Sequence, residues 1–201
     1  MLKNSDELNG MREAGKLAAE VLEMITDYVK PGISTGELDE ICFKYITDVQ
    51  KAIPANVGYR GFKKTLCTSI NQVICHGIPD TNRILKSGDI MNIDVTVIKD
   101  GWHGDTSKMF LIGKAQSHNE RLVRVTQECL YKGIEAARPG ARLGDIGNAI
   151  QIHAEKNYYS VVEEYCGHGI GKIYHDEPQI LHYGEPNTGQ EIIEGMCFTI
   201  E

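Results

Sequence analysis

No apolar run reaches the roughly 18 residues that would suggest a membrane-spanning helix, and the opening MLKNSDELNGMRE has no apolar stretch of the signal-peptide kind. Basic clusters are equally scarce. The longest is the pair Lys63-Lys64 in a chain of net charge −7, too little for an electrostatic footprint on nucleic-acid phosphates. Six cysteines stand at positions 42, 67, 75, 129, 166 and 197, but none forms a Cys-x-x-Cys pair. Their spacing speaks against a zinc knuckle or a disulfide framework and fits thiols in a reducing compartment. His-Glu-x-x-His, the P-loop and a dinucleotide-binding Gly-x-Gly-x-x-Gly are missing too, and no serine nucleophile elbow is expected. What remains is a cytoplasmic globular protein with no membrane or direct nucleic-acid partner.

What is present is ordinary in bulk. With 41% hydrophobic and 24% charged residues, the 201-residue chain is long enough for one sizeable core. Residues 5–30 set Met11, Ala14, Leu17, Ala18, Val21, Leu22, Ile25 and Val29 at helical spacing, a stripe stopped by Lys30-Pro31-Gly32. Ser34 with Glu37 three residues on reads as a capping box opening a second helix through Leu38, Ile41, Cys42, Tyr45, Ile46 and Val49. About sixty residues of β-type text follow. The helical pattern resumes at Ser117 and Glu120, a second candidate box, ends at Arg138-Pro139-Gly140, and continues in a helix carrying Leu143, Ile146, Ile150 and Ala154.

The chain resembles itself. At an offset of 108, Lys30-Pro31-Gly32 falls on Arg138-Pro139-Gly140 and Gly36-Glu37-Leu38 on Gly144-Asp145-Ile146. At 107, Gly88 falls on Gly195 and Asp94 on Glu201, each carboxylate reached through a β-type run. A duplicated helix-helix-sheet unit follows, with halves of about 1–113 and 114–201 and the second half ending inside its sheet.

The stretch IDVTVIKDGWHGDTS carries the most chemistry. Asp100-Gly101 between alternating β-branched residues is a two-residue hairpin signal, which sets Asp94 opposite Ser107 and Asp105 opposite Thr96. Asp94 and Asp105 are then same-face diagonal neighbours, with Cα atoms on the order of 7–8 Å apart. Such a pair has one raised pKa, faces solvent, or holds cations. His168 lies in CGHGIGKIYH, where glycines permit close backbone approach, and Glu201 ends the run MCFTIE at the position the repeat equates with Asp94. One imidazole and three carboxylates suit Mn, Fe, Co or Zn, and two such ions could activate hydroxide and polarise a carbonyl. His76 and His175 remain as surface histidines or as hydrogen-bond donors to a tetrahedral oxyanion.

CHGIP, NIDVTVIKDGWHGDTSKMF, GHGIG and FTIE together resemble the type I methionine aminopeptidases, from about Met11 to Glu201. The resemblance implies an α/β (α+β) fold of the pseudo-twofold pita-bread class, a single catalytic domain over 1–201, and removal of the N-terminal methionine from nascent polypeptides. It implies two divalent ions (Co, Mn, Fe or Zn) bound by Asp94, Asp105, His168 and Glu201, with Asp105 bridging and Glu201 also acting as general base. It further implies that His76 and His175 contact the substrate and stabilise its intermediate, while Tyr59, Phe62, Cys67 and Tyr174 line the methionine pocket. A monomer is expected, with nascent chains and the ribosome as candidate partners. Only 33 residues separate His168 from Glu201, too few for the type II insertion, so the short bacterial or organellar form is expected.

The sequence departs from the family pattern at four pocket positions: Asn56 where Cys is frequent, Arg60 for His, Phe62 for Tyr and Lys63 for Pro. Arg60 either alters which second residue is accepted or projects into water. The family also continues past Glu201 to a further bridging glutamate, so the alternative expectation is a truncated, inactive fragment that binds a metal or a partner.

Overall fold

The computed structural model describes residues 1–2 and 4–201. Contacts divide the chain into two compact units, one of Asn9–Glu120 and the other of Met1–Leu8 with Arg121–Glu201.

In the first unit, helix α1 (Ser5–Ile25) from Asn9 onward and helix α2 (Thr35–Lys44) cover one face of an antiparallel sheet. The stripe of α1 buries Ala14, Leu17, Ala18, Val21, Leu22 and Ile25 as its spacing predicts. The helix nevertheless stops at Ile25, and residues 26–28 form turns rather than extending the helix towards Lys30. There the backbone bonds shorten in span: Thr26 N–H donates to Glu23 O at 3.2 Å and Tyr28 N–H to Ile25 O at 2.9 Å, three residues back rather than four.

Ser34 caps α2 as expected. Glu37 N–H donates to Ser34 Oγ at 3.1 Å, and Glu37 Oε2 accepts from Ser34 N–H at 2.9 Å. The residues Gly32-Ile33-Ser34-Thr35-Gly36 have the spacing of a nucleophile elbow, but a serine only 2% exposed with both bonds spent on a cap is no nucleophile. Beyond α2 the apolar period widens into a π-helical turn, Tyr45–Val49, closed by Gln50 N–H to Tyr45 O at 3.0 Å.

The sheet is built around β3 (Ile90–Lys99), which pairs with β4 (Trp102–Leu111) on one side and with β1 (Ile53–Pro54) and β2 (Leu66–Ile70) on the other. Asp100 and Gly101 both have positive φ, +50° and +83°, as a type I′ hairpin turn requires. The register follows: Asp94 faces Ser107 and Thr96 faces Asp105. Alternation then separates the two faces. Leu66, Ile70, Met91, Ile93, Val95, Val97 and Phe110 join the helices in one core, each such side chain contributing about 1.5–3 kcal/mol on burial. The opposite face carries Cys67, Ser69, Asn92, Asp94, Thr96, Asp105 and Ser107. The β-type text predicted after Ile70 is instead a series of turns up to residue 89.

The second unit holds α3 (Ser117–Ala136) from Arg121 onward, α4 (Leu143–Lys156), β5 (Gly167–Gly169) and β6 (Asp176–Ile180). Ser117 is the first helical residue rather than the cap, because Gln116 O accepts from the N–H of Asn119 and Glu120. Val125, Cys129, Leu143, Ile146, Ile150, Ala154, Ile180 and Ile192 form its core. The run MCFTI is not a regular strand. It meets β5 through one bridge, Gly169 with Phe198, and through Thr199 N–H to His168 O at 2.8 Å.

The two units share a pattern of backbone bonds. Gly32 N–H donates to Leu85 O and Gly140 N–H to Ile192 O; Gly36 N–H donates to Asp80 O and Gly144 N–H to Thr188 O. The Ser34 N–H bond to Glu37 has its counterpart in Arg142 N–H to Asp145 Oδ2 at 2.7 Å. No helix among the described residues is long and apolar enough to cross a membrane.

Candidate functional site

In the first unit the polar face of the sheet gathers Asp94, Asp105 and Cys67. Cys67 lies directly opposite Asp94 across β2 and β3, and Thr96 Oγ1 donates to Asp105 Oδ1 at 2.9 Å from the neighbouring β3 position. Thr96 is completely buried, so this bond orients the carboxylate from below. Burial pushes the Cys67 thiol up to about 12, with Asp94 and Asp105 adding to the shift. The thiol therefore stays neutral beside the carboxylates.

His76 follows β2 in a left-handed conformation, φ +56°. It is held close to that strand because Gly77 N–H donates to Ser69 Oγ at 3.1 Å and Gly77 O accepts from Thr68 N–H at 2.7 Å. Only glycine fits there, since a Cβ at Gly77 would lie 2.1 Å from Thr68 O. Tyr59 and Phe62 belong to the 3₁₀ turn Tyr59–Gly61 and its end, with Phe62 N–H donating to Tyr59 O at 2.9 Å. Arg60, exposed in that turn at φ +48°, lays its guanidinium 5.3 Å from the centroid of the Tyr59 ring. Asn56 is buried and donates to Thr65 O at 3.1 Å, a structural bond just before β2.

In the second unit His168, Glu201, His175 and Tyr174 come together. His168 Nδ1 lies 2.9 Å from Gly169 O. A carbonyl only accepts, so Nδ1 carries a proton and Nε2 is the nitrogen left for a ligand, 3.3 Å from Glu201 Oε1. His175 stacks beside both aromatic neighbours, with ring centroids 4.3 Å from His168 and 4.1 Å from Tyr174. Burial raises the Glu201 carboxyl's pKa, but the His168 imidazole beside it, the Thr199 hydroxyl and the neighbouring His182 outweigh it and hold the group below its ordinary range.

Three residues of the site were not assigned from sequence. Thr96 supports Asp105, and Thr199 accepts from His168 N–H at 2.9 Å while donating to Glu201 Oε1 at 2.7 Å. His182 accepts from Glu201 N–H at 3.2 Å, and burial lowers its pKa. Strand alternation carries a signal for it: His182 shares the parity of Ile180, the fully buried end of β6. In the second unit the Glu201 carboxylate and an imidazole with Nε2 open are donors suited to a divalent ion of intermediate hardness.

Comparison with known proteins agrees with this chemistry. The family model described as metallopeptidase family M24 matches residues 9–201. The chain belongs to metallopeptidase family M24. Its relatives include a methionine aminopeptidase of Salmonella typhimurium, 60% identical over 200 residues, covering 100% of this chain and 76% of the relative. Among solved M24 structures, a methionine aminopeptidase from Rickettsia prowazekii superposes with a TM-score of 0.97 at 54% identity, covering 100% of this chain and 80% of that one. A prolidase from Pyrococcus furiosus superposes at 0.83 with 18% identity over 56% of its own length, a likeness of fold alone. The fold class is thus the pita-bread α/β class of M24, as the sequence motifs imply. M24 membership makes the chain a metallopeptidase that uses divalent metal.

Proposed function

We propose that this chain is a cytoplasmic methionyl aminopeptidase that removes the initiator methionine from nascent polypeptides. The observation that carries the reading is the 60% identity, over the whole chain, to a relative named methionine aminopeptidase. Asp94, Asp105, His168 and Glu201 are the proposed ligands of two divalent ions, Co, Mn, Fe or Zn. Bound there, such ions supply a lowered pKa for water and polarisation of the scissile carbonyl.

The remaining steps belong to side chains. Glu201 Oε1 accepts from the Thr199 hydroxyl, so Oε2 takes the proton of the attacking water. His76 and His175 donate to the oxygen that becomes negative in the tetrahedral intermediate. Tyr59, Phe62, Cys67 and Tyr174 surround the methionine side chain, and a neutral Cys67 thiol suits an apolar thioether. One catalytic domain of two repeat halves, about 1–113 and 114–201, is the proposed organisation. The recurrence of the Gly32, Gly36 and Ser34 bonds at Gly140, Gly144 and Arg142 supports it.

Metal titration with turnover on a Met-Ala-x peptide tests the proposal. Tight binding of two ions with release of free methionine is expected; one weakly held ion and no turnover would sink it. His175→Ala is expected to lower turnover with metal content unchanged.

A further inference from the structure

Glu201 has two restraints of different kind. Its carboxylate is tied through Thr199, whose hydroxyl reaches Glu201 Oε1 at 2.7 Å and whose backbone N–H pairs with His168 O at 2.8 Å. Its main chain is tied by a group 19 residues away, the imidazole of His182, at 3.2 Å from Glu201 N. An amide N–H only donates, so His182 Nε2 accepts and the ring proton sits on Nδ1. His182 is 9% exposed, just beyond β6, which itself pairs with β5 and so with His168. One short ladder thus carries His168, while a residue two positions past its end pins Glu201.

We propose that His182 is a positioning residue for Glu201: by holding its backbone N–H, it fixes the angle at which the carboxylate is presented beside His168. The inference rests on the metallo-aminopeptidase reading above. Each residue has two soft backbone torsions, and the Thr199 bond restrains the side chain without fixing the torsions at 201. Metal sites tolerate ligand errors of only about 0.5 Å or 10–20°, so a pinned backbone matters to affinity.

The test is a set of His182 variants of the full chain, first checked for folding by circular dichroism. Gln places an amide oxygen close to the position of Nε2 and keeps the acceptor; Asn has the same chemistry but falls short; Phe fills the space with no acceptor. His182→Phe and His182→Asn are expected to weaken cobalt binding by about 10–100-fold. They should lower kcat on a Met-Ala-x peptide with KM within about 2-fold, and should raise the exchange rate of the Glu201 amide in metal-free protein. His182→Gln is expected to restore all three to within about 3-fold. If His182→Phe does not fold, the comparison of Asn with Gln carries the test. Cobalt affinity and kcat equal to those of the parent in His182→Asn would overturn the proposal. So would equal losses in Asn and Gln, which would mark a purely structural role. A parent chain that binds no cobalt and releases no methionine would instead bring down the aminopeptidase reading, and this inference with it.

Discussion

Thr96 Oγ1 donates to Asp105 Oδ1 at 2.9 Å across the β3–β4 ladder, from a side chain with no exposure to solvent. A bond between a buried hydroxyl and a carboxylate fixes the carboxylate's rotamer, and its partner is set by the hairpin register alone.

Thr96→Val keeps the shape and removes the donor. Divalent-metal affinity is expected to fall by about 10-fold while the fold is retained. Isothermal titration with cobalt checks this, and unchanged affinity would show that Asp105 needs no such support.

Glu37 gives a pH dependence. Its carboxyl is held below the ordinary range by the backbone N–H of Ser34 and then by the Ser34 hydroxyl. A lowered folded pKa adds stability above the unfolded value of about 4.3, and that stability is lost as pH falls through the lower folded value. Urea midpoints of the parent and Glu37→Gln should therefore differ at neutral pH and converge below about pH 4. A gap that stays constant down to acid would refute the role of the charge.

Two glycines should respond in opposite directions to alanine. A Cβ at Gly104 of β4 would lie 2.1 Å from Ala14 O of α1, whereas one at Gly15 meets nothing within 4 Å. Gly104→Ala is expected to cost roughly 1–3 kcal/mol by forcing the helix off the sheet. Gly15→Ala, inside an α-helix, should gain about 0.5–1 kcal/mol. Thermal or urea unfolding of the pair reads both signs, and like-signed shifts would contradict the packing.

Thiol reactivity separates the cysteines. Burial pushes Cys42 and Cys67 up to about 12, each helped by nearby carboxylates, chiefly Asp39 for Cys42 and Asp94 for Cys67. Neither should react with a disulfide reagent at pH 8 in the folded chain, because the thiolate is the nucleophile. Both should react once urea unfolds it. Fast native labelling of Cys67 would mean that the strand pairing beside Asp94 opens readily.

Much of the first unit was legible because its signals are short-range. Asp100-Gly101 dictates a turn whose φ signs only a few residues tolerate, and with it the pairing of every residue in β3 and β4. Ser34 and Glu37 find each other within one helical turn. The misreadings are also local. The α1 stripe promises helix past Ile25, but Thr26 N–H turns to Glu23 O, three residues back, and Ser117 is displaced from its capping role by Gln116 O.

The amino-acid sequence by itself determined the helix stripes and the hairpin register, because caps, turns and alternation act over a few positions. Only the tertiary structure decided how the proposed ligands are supported. Which nitrogen of His168 is available depends on Gly169 O lying 2.9 Å from the other one. The hold on Glu201 comes from Thr199 and from His182, 19 residues upstream. Such bonds depend on which segments the core brings together and on single ångströms of approach, as at Gly77 against Thr68. No periodicity in one chain encodes distances of that kind.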